Sequence, residues 1–418
     1  MARACGLGPQ GREFKSRRSD KKREGMKAPQ NSLLIQAVGL FILLNCVLYV
    51  FMFLFYHKIP LNRVGYFRDA HHYLQDTRID GKRFDFIRAL NQYDGQWYIR
   101  IAEKGYPKNP RITSLNRKDV MDGLAYGFFP LYPLVLYMIN WLMGNSELTA
   151  FIVANTLLLI DYIFLYKLIA RLEGEGVAFK TGLLLFFFPF SIYFRGYYAE
   201  NLYLLFLLIF VYFLTKKEHV KAAVSLSLAN ITRGVGFLVS LYFLYICVKR
   251  KIPIKKTIVI CGILILPFAI WAIYNMQQTG NPLYFLTVRS AYYQDKKTVS
   301  LLAPLYFVSL QFLQIITPPK FLLQSVGSIL LLSNLLLLVI SKKTINQSLW
   351  WIWLCLVGGV LFSTGAVWGW GRYMIVIFPL FYFVGKKLNR LWFIFLFTIE
   401  LILLFFTSLF FINWHFLG

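Results

Sequence analysis

Acidic residues are scarce in this chain, which has 19 Asp and Glu against 45 Lys and Arg in 418 residues. Charged residues of both signs make up only 15% of the sequence, whereas 58% is hydrophobic. Soluble globular domains carry about 25% charged residues, so a large water-soluble domain is excluded. Apolar runs recur from end to end, and helices satisfy their own backbone hydrogen bonds in lipid. The composition therefore predicts an all-α polytopic membrane protein.

Cysteine is also scarce. The chain has five cysteines, and their spacing matches neither a disulfide framework nor a zinc-binding motif. Four of them lie in apolar runs, where a free cysteine behaves as a small hydrophobic residue. The five are Cys5, Cys46, Cys247, Cys261 and Cys355. Neither a structural zinc site nor a disulfide scaffold is predicted.

The formal net charge of +26 raises nucleic-acid binding as a function. The basic residues, however, form short clusters at the ends of apolar runs, which is the positive-inside pattern of cytoplasmic loops. The clusters lie at residues 17–23, 216–217, 249–256, 342–343 and 386–387. This pattern argues against nucleic acid as a partner and places these loops beside the anionic lipid of the cytoplasmic leaflet.

Residues 1–30 are basic and polar and lack hydrophobic periodicity, which predicts a disordered segment. The stretch GPQGREFKSRR resembles the translated end of a tRNA gene, which favours Met26 as the true start of translation. A genuine basic cytoplasmic tail is the alternative. Under both interpretations residues 31–418 form one membrane-embedded domain. The first apolar run is then an uncleaved anchor, since no small-residue cleavage site follows it.

The first apolar run covers residues 32–56, and the basic residues before it place the N-terminus in the cytoplasm. Residues 57–125 then form a long extracytoplasmic loop. The later runs bring the predicted total to about ten to twelve transmembrane helices. These runs are 128–143, 147–170, 178–194, 198–215, 222–248, 257–275, 301–317, 321–341, 349–367, 373–385 and 391–412.

The charge clusters do not agree with a simple count of crossings. Counting each run once places Lys216 and Lys217 outside the cell, against the positive-inside rule. One run must therefore be broken or re-entrant, and the polar stretch 232–236 inside the run 222–248 is the predicted break. The number of crossings upstream also disagrees by one with the charge pattern, and this second disagreement lies near residues 123–146.

The long loop contains the stretch YDGQW, which places Asp94 among aromatic residues. Residues 84–105 around it carry apolar side chains at helical spacing, which predicts two short amphipathic helices in the headgroup region. An ordinary surface helix would explain the spacing but not the aromatic side chains beside a carboxylate. Asp94 is therefore the strongest candidate for a chemical group at the membrane surface.

Four further polar groups interrupt apolar sequence, where a charged residue is costly enough to indicate function. They are residues 188–201, Arg233, residues 277–285 and residues 368–373. All four can be assigned to the same membrane face as Asp94.

The order of these motifs resembles the GPI mannosyltransferase 2 family and its prokaryotic relatives. The motifs are YDGQWYIRIAEKGY, AYGFFPLYPL, ANTLLL, FFPFSIYFRGYYAENLY, ITRGVGFL, TGNPLYF and GRYMIVIFPLF. Each alone is weak, because ordinary membrane packing also produces aromatic-proline pairs, but all of them in one order are more specific. The resemblance implies a GT-C-type helical bundle and a membrane glycosyltransferase that uses polyprenyl-phosphate sugars.

The resemblance also implies that Asp94 is the catalytic carboxylate, which would take the proton from the attacking hydroxyl in an inverting transfer. A structural cap or a substrate ligand is the alternative role. The candidates for holding the donor phosphate are Arg195, Arg233 and Arg372, because a guanidinium offers a planar fork of donors. For each arginine the alternative is snorkelling to the membrane interface. The stretch RGY at residues 195–197 departs from the family pattern, which makes Arg195 a weaker candidate for a phosphate ligand.

The remaining candidate substrate-binding residues are polar or aromatic and lie in the same motifs. They are Tyr93, Gln96, Trp97, Arg100, Tyr197, Glu200, Asn201, Asn281 and Tyr373. Glu200 also suits a helix N-terminus, where the dipole favours a carboxylate. The aromatic residues also suit an interfacial aromatic belt.

No cofactor is predicted to be required, and a divalent cation is left open. The other aspartates of the loop, Asp76, Asp80 and Asp85, share no helix face with Asp94 that would make a metal site. The pair His71 and His72 suits a solvated surface better than a set of metal ligands.

We therefore predict a glycosyltransferase of a prokaryotic plasma membrane, with its active site on the extracytoplasmic side. It would move a sugar, with mannose as the first candidate, from a polyprenyl-phosphate donor to a glycan or lipid-linked acceptor, with inversion. A flippase or transporter of lipid-linked glycans is the alternative from another class, although the matching interrupted segments of a transporter are not found. A GT-C enzyme for another sugar is the alternative within the class.

Overall fold

The computed structural model describes residues 31–69, 73–110, 123–293, 322–364, 369–415 and 417. Within these residues the chain forms α-helices joined by turns and short 3-10 helices, and no strand. The predicted all-α fold is confirmed. The N-terminal segment 1–30, the pair His71 and His72, and the predicted run 301–317 lie outside the described residues.

The helices are numbered in chain order. The first nine are α1 Asn31–Phe55, α2 Arg63–Asp69, α3 Phe86–Ala89, α4 Asp94–Lys104, α5 Leu131–Met143, α6 Ser146–Glu173, α7 Glu175–Phe186, α8 Glu200–Thr215 and α9 His219–Thr232. The others are α10 Phe237–Lys249, α11 Ile254–Thr279, α12 Tyr284–Tyr293, α13 Leu322–Ser341, α14 Gln347–Thr364, α15 Trp370–Met374, α16 Phe378–Lys387 and α17 Arg390–Ile412.

Several helices have the length and composition of membrane spans. A helix needs about 20 apolar residues to cross the hydrocarbon core. Four segments of the described chain meet this requirement, namely Ser32–Lys58, Ser146–Glu173, Ile254–Thr279 and Arg390–Ile412. Shorter apolar helices accompany them, for example Glu200–Thr215. The polytopic membrane class is therefore supported, and the total of about ten to twelve crossings stays a prediction.

The predicted break in the run 222–248 is confirmed. Helix α9 ends at Thr232, Arg233 adopts an extended conformation, and Gly234–Gly236 form a 3-10 turn before α10 begins. Two other runs are also broken. The run 178–194 ends as a helix at Phe186 and continues as the 3-10 turn Ser191–Phe194, while α15 and α16 are separated near residues 375–377.

The breaks at residues 187–199 and 375–377 are buried in the protein, and the break at Arg233 is partly buried. The backbone around Ser191 and Arg195 is fully buried, which is where irregular backbone is tolerated in a membrane protein. Side chains satisfy the freed carbonyl groups: the Ser191 hydroxyl donates to the Phe186 carbonyl at 2.8 Å, and the Thr407 hydroxyl donates to the Pro189 carbonyl at 2.6 Å. Polar residues at the breaks are thus held by protein groups.

The predicted pair of short helices after the first span is present as α3 and α4. Helix α4 packs against α5 and α6. Its Tyr98 and Ile99 side chains join the main hydrophobic core, and Trp97 is buried in a second apolar cluster. The centre of the bundle is formed by α8, which packs against α6 and α9. Helix α4 is therefore part of the protein core, and its first residue, Asp94, faces the N-terminal end of α8.

The break at Arg233 requires a small residue in the neighbouring helix α14. A Cβ atom added at Gly359 would lie 2.2 Å from the carbonyl oxygen of Val235. We expect Gly359→Ala to destabilise the protein by about 1–3 kcal/mol through overpacking. The measurement is the midpoint of thermal unfolding of the purified protein in detergent.

Gly262 in α11 provides the matched control, since nothing lies within 4 Å of a Cβ atom added there. Gly262→Ala should raise the midpoint slightly, because alanine is favoured over glycine in a helix by about 1 kcal/mol. Equal midpoints for the two variants would contradict the close approach of α14 to the break.

Candidate functional site

Asp94 is the first residue of α4, and the backbone before it is strained. Tyr93 has φ 46° and ψ −115°, a region that a residue with a side chain rarely adopts and that costs about 1–3 kcal/mol. The ring of Tyr93 is buried and packs on Trp414 with ring centroids 5.2 Å apart. The packing of Tyr93 thus holds the turn that presents Asp94.

Four charged side chains from distant parts of the chain meet at this point, and we call them the charged cluster: Asp94, Glu200, Arg233 and Arg372. Arg372 Nη1 lies 2.5 Å from Asp94 Oδ2. Arg372 Nε donates to Glu200 Oε1, and Arg233 Nη1 forms an ion pair with the same oxygen. The two positive and two negative charges balance, as buried charges require.

The four side chains of the charged cluster differ in their exposed fractions. The Glu200 side chain is 1% exposed and the two arginine side chains about a tenth, whereas the Asp94 side chain is 24% exposed. Glu200 is therefore the buried centre that holds both guanidiniums. Asp94 is the member of the cluster that a substrate can reach most easily.

Aromatic rings surround the two guanidiniums. Arg372 lies over the rings of Tyr198 and Tyr193, at 4.5 Å and 5.2 Å from their centroids, and Arg233 lies over Tyr373 at 5.4 Å. A guanidinium over an aromatic face is stabilised by about 0.5–2 kcal/mol. These rings hold the arginines in place by contacting the faces of the guanidiniums. The N–H donors lie in the plane of each guanidinium and are not covered by the rings.

Sequence reasoning did not select Tyr193 or Tyr198 as site residues. Both lie in the aromatic stretch SIYFRGYY, where spacing alone cannot separate a ring that faces an arginine from a ring in the core. Tyr198 also donates from its hydroxyl to the Gln92 carbonyl at 2.8 Å. It therefore connects the loop before Asp94 to the break that precedes α8.

The structure does not join Arg195 to the charged cluster. Its Nε donates to Asn45 Oδ1 at 2.9 Å, and its Nη1 and Nη2 donate to the carbonyl groups of Ser191 and Phe186 at 3.0 Å and 3.1 Å. The side chain is fully buried. Arg195 thus caps the C-terminal end of α7 and ties it to α1, which leaves little of its fork for a phosphate.

Two other candidates of the same motif, Tyr197 and Asn201, are also held by backbone groups. The Tyr197 hydroxyl donates to the Ile87 carbonyl at 2.6 Å. The Asn201 amide donates to the carbonyl groups of Ala154 and Phe194 at 3.1 Å and 2.6 Å. Both side chains are buried, so they fix the positions of α3 and α8 around the cluster.

The candidates on α4 other than Asp94 also make structural contacts. The Gln96 amide donates to the Leu74 carbonyl at 3.0 Å. Trp97 is buried and stacks on Phe128 with centroids 5.7 Å apart, and Arg100 lies over the Trp97 ring at 5.2 Å. These residues anchor α4 in the bundle.

The last two candidates lie in different places. Tyr373 contacts the cluster through Arg233, as described above. Asn281 lies just before α12, where its Oδ1 accepts from the Leu283 backbone N–H at 2.9 Å. No described contact links Asn281 to the charged cluster.

The described residues contain no group of three or more histidine, cysteine, aspartate or glutamate side chains that could hold a metal ion. The two carboxylates of the cluster, Asp94 and Glu200, each contact an arginine. The charges of the two arginines offset those of the two carboxylates, which weakens the attraction of the cluster for a cation. A divalent cation stays a prediction.

A second set of contacts joins the loop before α3 to the C-terminal end of the chain, and we call it the clasp: Asp76, Arg78, Asn413 and Trp414. Asp76 Oδ2 accepts from Arg78 Nη2 at 2.7 Å and from Trp414 Nε1 at 2.9 Å. Arg78 Nη1 also donates to Asn413 Oδ1 at 2.6 Å. Because Trp414 supports Tyr93, the clasp indirectly positions Asp94.

Comparisons with protein-family models, with curated proteins and with solved structures give no match for this chain. The family resemblance of the motifs stays a prediction from the sequence.

Arg195 is expected to be a structural residue. Arg195→Ala should lower the thermal midpoint and the yield of folded protein, because each lost hydrogen bond to a charged group costs about 1.5–3 kcal/mol. Arg195→Lys should fall between this variant and the wild type, since it keeps the charge but loses the fork. The measurement is thermal unfolding in detergent, followed by size-exclusion chromatography.

Arg171→Ala is the control for this experiment, because Arg171 is exposed, its guanidinium lies 6.0 Å from the Tyr212 ring centroid, and removing it should cost less than about 1 kcal/mol. An Arg195→Ala protein as stable as the control would contradict the capping role and would return Arg195 to the list of phosphate ligands.

The clasp is expected to make stability depend on pH. Burial alone would raise the pKa of Asp76, but the hydrogen bonds and charge of Arg78 together with the Trp414 indole hold the pKa below its usual value of 3.8. Asp76 therefore stabilises the fold above that value, and its contribution is lost as the pH falls through the lower pKa of the folded state. Thermal midpoints from pH 7 down to about pH 3 should show this loss.

Asp76→Asn should lower the midpoint at pH 7 and flatten its acid dependence. Asp80→Asn, which makes the same chemical change at an exposed residue of the same loop, should leave the midpoint at pH 7 close to that of the wild type. Parallel acid curves for wild type and Asp76→Asn would show that Asp76 does not carry the effect.

Proposed function

We propose that this protein is an integral membrane glycosyltransferase of a prokaryotic plasma membrane. It transfers a sugar from a polyprenyl-phosphate donor to a glycan or lipid-linked acceptor on the extracytoplasmic side. The observation that carries the proposal is the 2.5 Å contact between Asp94 and Arg372, since it brings a partly exposed carboxylate and a phosphate-binding side chain to one point. Mannose is proposed as the sugar on the order of the motifs alone.

The proposed reaction needs a base. The acceptor hydroxyl attacks the anomeric carbon, its oxygen forms a bond there, and its proton passes to the Asp94 carboxylate. The bond from the anomeric carbon to the phosphate oxygen breaks on the opposite face of the sugar, so the configuration inverts. Because the polyprenyl phosphate leaves as an anion of low basicity, one carboxylate suffices.

The proposed reaction also needs a site for the phosphate. Arg372 uses Nε and Nη1 on Glu200 and Asp94, and its Nη2 donates no hydrogen bond to a described residue. A guanidinium has five N–H donors in a planar fork, so Arg372 can bind a phosphate oxygen while it stays anchored to Glu200. Arg233, held by the same carboxylate, provides a second positive charge.

The contact between Asp94 and Arg372 has a consequence for the order of events. A carboxylate paired with a guanidinium is a weak base, because the pair favours the ionised form. A donor phosphate that binds Nη2 of Arg372 places a second anion on the same guanidinium and weakens its effect on Asp94. Donor binding therefore raises the basicity of Asp94 at the time when the acceptor must be deprotonated.

Removing the proposed base should abolish transfer without unfolding the protein. We expect Asp94→Asn to insert into membranes normally and to lower the rate of transfer by about 100-fold or more, which is the usual contribution of a general base. The assay supplies membranes that contain the protein with radiolabelled polyprenyl-phosphate sugars, one sugar at a time. It counts the label transferred to lipid and glycan fractions.

Asp80→Asn is the matched control, since Asp80 lies in the same loop and contacts Gln75 rather than the charged cluster. It should keep wild-type activity. Full activity of Asp94→Asn would remove Asp94 from the mechanism. Wild-type protein that transfers none of the sugars, but moves a fluorescent lipid-linked glycan across liposomes, would instead favour the transporter.

A further inference from the structure

A cavity of about 240 Å³ lies at the other end of the bundle from the charged cluster. It is open on one side and is lined by the last turns of α6 and α8, by the turn after α10 and by the start of α14. Its lining includes Leu172, Leu214, Lys217, Arg250, Ser348 and Ile352. None of these residues belongs to the site proposed for sugar transfer.

The distance between the two sites follows from α8. This helix begins at Glu200, in the charged cluster, and ends at Thr215, in the wall of the cavity. At 1.5 Å per residue the two residues are about 22 Å apart along the helix axis. The cavity and the cluster therefore lie near opposite boundaries of the hydrocarbon layer.

The cavity combines an apolar floor with positive charge. Its floor is formed by leucine and isoleucine side chains, including Leu214 and Ile352, and its wall contains Lys217 and Arg250. In the described part of the chain no carboxylate forms a salt bridge with either cation. Two such cations beside apolar side chains attract an anion that also has an apolar portion.

The helix ends at the cavity contribute electrostatic potential of both signs. The N-terminus of α14 lies there and favours an anion, although Asn346 Oδ1 already accepts from the Ser348 backbone N–H at 2.8 Å. The C-terminal ends of α6 and α8 oppose it. A helix end carries only about half an elementary charge, so the full charges of Lys217 and Arg250 decide the sign.

We infer that this cavity binds the phosphate headgroup of an anionic membrane lipid. Complete ligand pockets usually measure about 300–1,000 Å³, so a cavity of about 240 Å³ accommodates a headgroup and the first part of its chains. Basic pockets between transmembrane helices on the cytoplasmic side bind such headgroups. The basic clusters around this end of the bundle agree with that placement.

The test compares lipids retained by the purified protein, measured by native mass spectrometry after exchange into detergent with phosphatidylglycerol or phosphatidylcholine. The wild type should retain phosphatidylglycerol and not phosphatidylcholine. The double variant Lys217→Gln, Arg250→Gln should bind phosphatidylglycerol at least tenfold more weakly. Thr215→Trp, which fills the cavity without changing its charge, should weaken phosphatidylglycerol binding to the same extent. This variant tests the site if the double variant does not fold.

The control is the double variant Lys255→Gln, Lys256→Gln, which removes two exposed charges at the start of α11 and should bind like the wild type. Equal loss in both double variants would mean diffuse charge attraction and would overturn the discrete site. Unchanged binding in Thr215→Trp would also overturn it. A third arm adds inorganic phosphate, and displacement of the lipid at millimolar phosphate would replace the lipid by free phosphate as the ligand.

Discussion

The ion pairs of Arg372 are the interaction on which the rest of this site depends. They connect Asp94 at the start of α4 with Glu200 at the start of α8, two helices that are far apart in the chain. Removing Glu200, which is 1% exposed, would leave two guanidiniums without their shared buried partner and would cost about 3–5 kcal/mol. The break at Arg233 and the break that ends at Glu200 each place a charged residue in the cluster.

The charged cluster has no net charge, but its two carboxylates differ in exposure. Glu200 is the buried anchor for both arginines, whereas Asp94 is the exposed partner. In the proposed reaction, a phosphate on Nη2 of Arg372 would leave the pairing of Arg372 with Glu200 in place. The strained turn at Tyr93 and the clasp that supports it fix the position of Asp94 beside Arg372.

Local sequence was sufficient to predict part of this arrangement. The break at Arg233 and the short helix that begins at Asp94 follow from polar residues in apolar runs and from apolar spacing. The role of Arg195 does not, because a capping arginine and a phosphate-binding arginine have the same sequence signature. The difference depends on Asn45 in α1 and on the carbonyl groups of α7. The contact of Asp76 with Trp414, at a sequence separation of 338, has no local signal at all.

The length of α8 limits how the two ends of this helix can lie in a bilayer. It has 16 residues and is therefore about 24 Å long, which is less than the hydrocarbon thickness of about 30 Å. If α8 crosses a flat bilayer, Glu200 and Thr215 at its two ends cannot both lie outside the hydrocarbon layer. If the end at Glu200 lies inside it, pairing of the charges is what makes the cluster tolerable there. Such a depth would suit the proposed donor, since its phosphate could reach Arg372 while its polyprenyl chain stayed in the lipid.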